Sequence, residues 1–372
     1  MKHPSTPVEP ESRDGVVAAW TRFWFAPADP VALSVLRVLA GVVFLYWLAP
    51  FAGDPQAFFG VDGWFDARAY TEASRLRELP PYLFTWSAAY WCGHNAMLLT
   101  ALYWLSIAVV ALFALGVATR LTGVLSWIVV VSFTANPAIA FDADPLLQML
   151  AFYLMLGHLF LGLQTPGQSP LSLVLGPTRS TWLFSGLWPR QRVLLAPSAA
   201  ANVAVRLLQV HFAMAVMATG FHKLQTSAWW SGLAPWFYLH PPFHSTLAEI
   251  RSFAPPNAET YLNLFSLTAY AVLAWQIAFP AFAWRRGFRP LLLGGAAIGW
   301  AMTALALQMP LVGPLTFALC LAYLTPLEWC WIQSKLAHLP LFARLGQETT
   351  AQAERKIKNG ARTGNVAVGN RT

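Results

Sequence analysis

Runs of about twenty apolar residues recur along the chain, and they constrain its fold more than any other feature. "VALSVLRVLAGVVFLYWLAPFA" (31–52) and "AMLLTALYWLSIAVVALFALGVA" (96–118) are two of them. A segment in lipid must satisfy its own backbone groups, so runs of this length and without strand-like alternation read as helices. Charge agrees: 11% of the 372 residues are charged, against about 25% in a soluble domain. The expected fold class is all-α, a polytopic membrane helical bundle.

Eight spans are expected, near 31–52, 96–118, 122–141, 145–164, 201–223, 262–284, 290–309 and 311–331. The segments 53–95 and 224–261 are too polar and proline-broken to span. "VVAAWTRFWFAP" (16–27) reads as an amphipathic interfacial segment, and "TWLFSGLW" within 165–200 as another. The chain thus divides into a polar N-terminus with an interfacial helix (1–27), a transmembrane domain (28–332) and a basic tail (333–372) expected to be disordered. No cleavable signal is evident, and the first span is expected to act as the targeting signal.

Orientation follows from the lysines and arginines. With a cytoplasmic N-terminus, seventeen of the 24 fall on the cytoplasmic side and four outside. Both termini are therefore expected in the cytoplasm of a cell membrane, with a bacterial inner membrane as the setting. Seven of the basic residues lie in the last 40 positions, so the net charge of +8 is a tail property and indicates no nucleic-acid partner. Membrane lipids are the expected surroundings. The three cysteines, Cys92, Cys320 and Cys330, have no metal-type spacing. "HPPFH" (240–244) has paired histidines, but two prolines break the helix that a metal pair would need, so no metal site is expected.

Polar groups at membrane depth are the candidate functional residues. Arg37 and Arg206 sit within the first turns of their spans, where an arginine ordinarily snorkels to the headgroups. Asp144 opens the fourth span and is placed to cap it, or to meet Lys223 from the same membrane face, as Asp142 could instead. The fifth span ends in "RLLQVHFAMAVMATGFHKLQTSAWWSG" (206–232). At about 100° per residue, Gln209 and Lys223 fall within about 40° of each other, and His211 and His222 share a different stripe. His211 and His158 read as hydrogen-bonded packing residues. Gly220 and Gly232 allow close backbone approach. Trp229, Trp230 and Trp236 suit an interfacial belt or the roof of a pocket for a flat apolar ligand.

Lys223 is the only lysine between Lys2 and Lys335. A lysine at a span end followed by tryptophans is an ordinary boundary anchor. The alternative is an amine that loses its proton and serves as a base or nucleophile facing the outer compartment. Composition leaves both readings open.

"DPVALSVLRVLAGVVFL", "LGVATR", "TANPAIAFDADPLLQML", the segment 206–232 and "LAWQIAFPAFAWRRGFR" occur in an order that resembles horizontally transferred transmembrane (HTTM) domain proteins. These in turn resemble the membrane part of vitamin K-dependent gamma-carboxylase. The likeness covers about residues 28–332, and Arg37, Asp144 and Gln209 fall at recurrent family positions. It implies a quinol ligand, such as reduced menaquinone or vitamin K hydroquinone, consumed with oxygen, and it places the base at Lys223. It also implies a pocket between helices near Gly220, Trp229 and Trp230, with His222, Asp144, Gln209, Arg37 and Arg206 as supporting polar residues. Three departures stand out, one being that the histidine often found in the span after Pro280 has no counterpart between Arg289 and Leu311. Gln276 occupies a position that is often acidic, and no large outer domain follows the last span. Quinol oxidation without glutamate carboxylation is the activity the likeness then implies. A small-molecule or lipid transporter is one alternative, and an assembly factor holding a periplasmic protein through 53–95 and 224–261 is another.

Overall fold

The computed structural model describes residues 15–76, 86–141, 143–161, 197–239, 258–305 and 307–336. Of these, 79% are helical and none form a strand. Fifteen α-helices are described: α1 (Val16–Phe25), α2 (Val31–Leu48), α3 (Pro55–Phe59), α4 (Ala67–Leu76), α5 (Ala88–Cys92), α6 (Ala96–Leu115), α7 (Thr119–Thr134), α8 (Asp144–Phe160), α9 (Ala199–Lys223), α10 (Ser227–Trp230), α11 (Ala234–Leu239), α12 (Ala258–Phe282), α13 (Arg289–Leu305), α14 (Val312–Leu321) and α15 (Pro326–Leu336). Asp142, the segment "TWLFSGLW", "HPPFH" and the basic tail beyond Leu336 lie outside the described residues.

Among the described residues, four helices have the length and apolar composition to cross a membrane: Val31–Ala52, Ala96–Leu115, Ala199–Lys223 and Leu262–Phe282. Thr119–Thr134, Asp144–Phe160 and Val312–Leu321 are apolar but shorter. The 16 residues of α7 reach about 24 Å at 1.5 Å per residue, less than the roughly 30 Å of a hydrocarbon core. Large apolar side chains such as Leu105, Leu267, Ile298 and Leu305 face outward, as a lipid-facing surface requires. The chain is a helical protein suited to a membrane.

The expected last span, 311–331, is two helices. Its first part, α14, stops after ten residues. The sequence "TPLE" (325–328) then starts a new helix through a capping box. The Thr325 amide and hydroxyl both donate to a Glu328 carboxylate oxygen at 2.7 Å, and the Glu328 amide donates back to the Thr325 hydroxyl. Pro326 at the first helical position suits the same start.

The connection between α6 and α7 is a tight turn. Gly116 ends α6 in the left-handed region (φ 84°), and Ala118 adopts φ 48° before α7 begins. Inside the bundle, α2 packs on α6 and α8, α7 on α8, α9 on α8 and α12, and α13 on α14. A Cβ at Gly157 would come within 3.0 Å of Leu33 and Ala204 side chains, so α2, α8 and α9 meet there with no spare room. The amphipathic α1 lies across α9, where Asn202 donates to the Phe23 and Trp24 carbonyls at 3.0 and 2.9 Å.

Candidate functional site

The amine of Lys223 ends α9 and is half-buried. Its Nζ donates to Gln276 Oε1 on α12 at 3.1 Å and lies 4.8 Å from the centre of the Trp229 ring. Three features of the chain hold this group together. Gly220 is one turn before Lys223, and a Cβ there would stand 3.1 Å from Gln276 Cβ, so the bare glycine lets α12 approach. Trp229 is buried with Ala234, Ala269 and Leu273. Gly232 takes φ +75°, and a Cβ there would collide with Ser266 at 2.3 Å, which fixes the chain after Trp229 against α12. Among the described residues no carboxylate pairs with Lys223. Its partners are a neutral amide and a ring face, an environment in which an ammonium and an amine can both be accommodated.

Several expected members of the site lie elsewhere. His222 is exposed and does not share the Lys223 contacts. Asp144 is buried at the start of α8, where its Oδ2 accepts the Phe141 amide at 3.0 Å, and it does not bond Lys223, whose hydrogen bond goes to Gln276. Trp230 is 62% exposed, with its indole N–H on the Leu224 carbonyl and its own carbonyl accepting the Tyr270 hydroxyl. The ring against the amine is that of Trp229, not of Trp230.

Gln209 shares a helical stripe with Lys223, yet 14 residues of helix put them about 21 Å apart along the axis. Gln209 is instead the hub of the opposite end of α9. Its Oε1 accepts from Arg206 Nη1 at 3.0 Å and Trp284 Nε1 at 3.2 Å, and its Nε2 donates to the Ala322 carbonyl at 2.7 Å. The Tyr323 hydroxyl donates to its main-chain carbonyl. Arg206 also lies 4.5 Å from the Phe23 ring. Nearby, Arg289 pairs with Glu328 and donates to the Trp284 carbonyl. This ties α1, α9, α13 and α15 to the turns after α12 and α14, with most of its polar groups bonded to one another.

Arg37 does not snorkel. Its side chain is fully buried, at 0% exposure, against the helices of the bundle. His211 bonds the Tyr153 hydroxyl at 3.0 Å and joins α9 to α8, as a packing histidine does. His158 is also fully buried, but neither ring nitrogen has a hydrogen-bond partner.

Gln276 was the missed member of the Lys223 group. Its signal was present: one amide in the otherwise apolar stretch "VLAWQIAFP" (272–280) needs a partner at membrane depth. Trp284, Tyr323 and Glu328 gave no comparable sign, because aromatic and charged residues at a span end are ordinary. No protein-family model matches this chain, and comparison with curated proteins and with solved structures gives no match either.

Proposed function

We propose that this is a polytopic membrane protein of the HTTM and carboxylase-like kind that binds a quinone-like apolar ligand at its outer face, with Lys223 as a base. The reading takes eight spans, with both termini in the cytoplasm of a bacterial inner membrane. The charge distribution supports that orientation. The observation that carries the functional proposal is the setting of Lys223: half-buried, held by a neutral amide and a ring face, with no carboxylate bonded to it among the described residues.

On this reading the amine accepts a proton from a ligand hydroxyl at its Nζ. The ammonium so formed keeps its bond to Gln276 Oε1 and gains from the Trp229 face. The ring and the exposed Trp230 offer flat apolar surface suited to a quinol. A quinol consumed with oxygen would supply the redox chemistry, giving an epoxide and water. Gly220 and Gly232 keep α12 close, so the partner amide stays on the amine.

The test uses the full chain in lipid nanodiscs with reduced menaquinone or vitamin K hydroquinone and oxygen, with quinone and epoxide followed by mass spectrometry. Product formed by the wild type and lost in Lys223→Met supports the proposal. Equal turnover in both removes Lys223 from the mechanism.

A further inference from the structure

The hub at the Gln209 end of α9 is bordered by positive charge that it does not use. Arg206 and Trp284 both donate to Gln209 Oε1, and Arg289 donates to the Trp284 carbonyl and pairs with Glu328. Directly after Trp284, in the turn "WRRGFR" (284–289) between α12 and α13, come Arg285 and Arg286. Both are exposed, and the Arg285 guanidinium lies 5.8 Å from the centre of the Phe282 ring. Among the described residues no carboxylate pairs with either. Asp29, on the link from α1 to α2, is engaged at the start of α2, where it accepts the Val31 amide at 3.0 Å.

The same hub holds α1. Asn202 donates to the Phe23 and Trp24 carbonyls, and the Phe23 ring lies 4.5 Å from the Arg206 guanidinium, which is bonded in turn to Gln209. Arg206 thus links α1 to the turn that carries Arg285 and Arg286. No residue of α1 is fully buried, and Val16, Val17, Trp20 and Phe25 are exposed, Trp20 at 63%. An exposed apolar face beside charged groups marks a place of contact. A soluble polyanion would answer the arginines but leave the apolar face in water. The boundary of an anionic bilayer answers both, with acyl chains against α1 and phosphates against the guanidiniums.

We infer that α1 and the Arg285–Arg286 turn form one binding surface for anionic lipid headgroups in the adjoining leaflet. The apolar face of α1 lies among the upper acyl chains, and the two exposed guanidiniums bond phosphate oxygens. The Gln209 hub binds no lipid itself and holds the two parts together. The inference rests on the chain spanning a membrane and requires no reaction at Lys223.

The experiment places the full chain in nanodiscs of phosphatidylcholine containing increasing phosphatidylglycerol. Retained lipid is read by native mass spectrometry and stability by thermal unfolding. Wild type is expected to retain phosphatidylglycerol in preference to phosphatidylcholine, and to do so less at high salt. The double variant Arg285→Gln, Arg286→Gln changes exposed side chains and is expected to fold, while its preference falls about 25-fold, about fivefold for each arginine. Val17→Asp places a carboxylate on the exposed face of α1 and should lower the preference as well. The basic tail is intact in every variant, so a loss belongs to this surface. Equal retention of both lipids by wild type overturns the proposal, as does an undiminished preference in the double variant. An unchanged preference in Val17→Asp overturns the part given to α1. Stabilisation by glycerol phosphate equal to that by phosphatidylglycerol overturns the lipid as the source of the anion.

Discussion

The two ends of α9 use similar residue types to opposite effect. At the Gln209 end, the Gln209 amide has donors from Arg206 and Trp284 and an acceptor in Ala322, and Arg289 is paired with Glu328. At the Lys223 end, the one charged group has a single neutral hydrogen-bond acceptor and a ring face. Polar groups that satisfy each other hold helices together and have little left to offer a ligand. A charged group with only neutral partners can change its protonation without breaking an ion pair. On the proposed function, the difference gives a structural part to one end and a chemical part to the other.

The strongest way to break this comparison is at the structural end. Gln209→Leu strands the Arg206 and Trp284 donors and the Ala322 carbonyl, and should cost about 3 kcal/mol. Thermal or denaturant unfolding in detergent would measure it, and a loss below about 1 kcal/mol would show that the hub is dispensable. Glu328→Gln keeps the helix-start geometry but removes the charge facing Arg289. A cost of about 2 kcal/mol is expected in the same assay.

The Lys223 end should respond in the reverse manner. Lys223→Met should change stability by no more than about 1 kcal/mol, since a cation over a ring and one hydrogen bond to a neutral amide are modest terms. It should nonetheless abolish quinol turnover. Gln276→Glu sharpens the contrast, because a carboxylate beside Lys223 turns this end into an ion pair like Arg289–Glu328. The variant should be at least as stable as wild type while turnover falls, and undiminished turnover would mean that the neutral partner is irrelevant. The smallest effect is expected from His222→Ala, whose exposed side chain lies outside the Lys223 contacts: neither melting temperature nor turnover should move measurably.

Angular position around a helix was legible in sequence, while depth partners were not. The stripe through Gln209 and Lys223 follows from 3.6 residues per turn, and the same arithmetic gives their 21 Å axial separation. A shared stripe was therefore no evidence of a shared site. Asp144 illustrates a different limit. Its place at a helix start was evident, but whether it would cap its own helix or reach Lys223 depended on how α8 and α9 meet. The histidines show a third. His211 and His158 looked alike as lone histidines in apolar spans, yet one bonds Tyr153 and the other is fully buried with neither ring nitrogen bonded.

The sequence by itself determined that the chain is helical and suited to a membrane, because long apolar runs with few charges leave the backbone no other way to satisfy its own groups. It also located the long apolar helices to within several residues at most of their starts, while the "TPLE" box that divides the last expected span is a local signal in the same sequence. Only the tertiary structure decided which polar residues meet. Gln276 reaches Lys223 from 53 positions away, Gln209 reaches Ala322 from 113, and Arg37 is buried rather than extended to the headgroups. Local chemistry sets each helix, whereas the rotation and depth at which two helices pack are fixed by side chains far apart in the chain. Small contacts such as Gly220 against Gln276 set those distances.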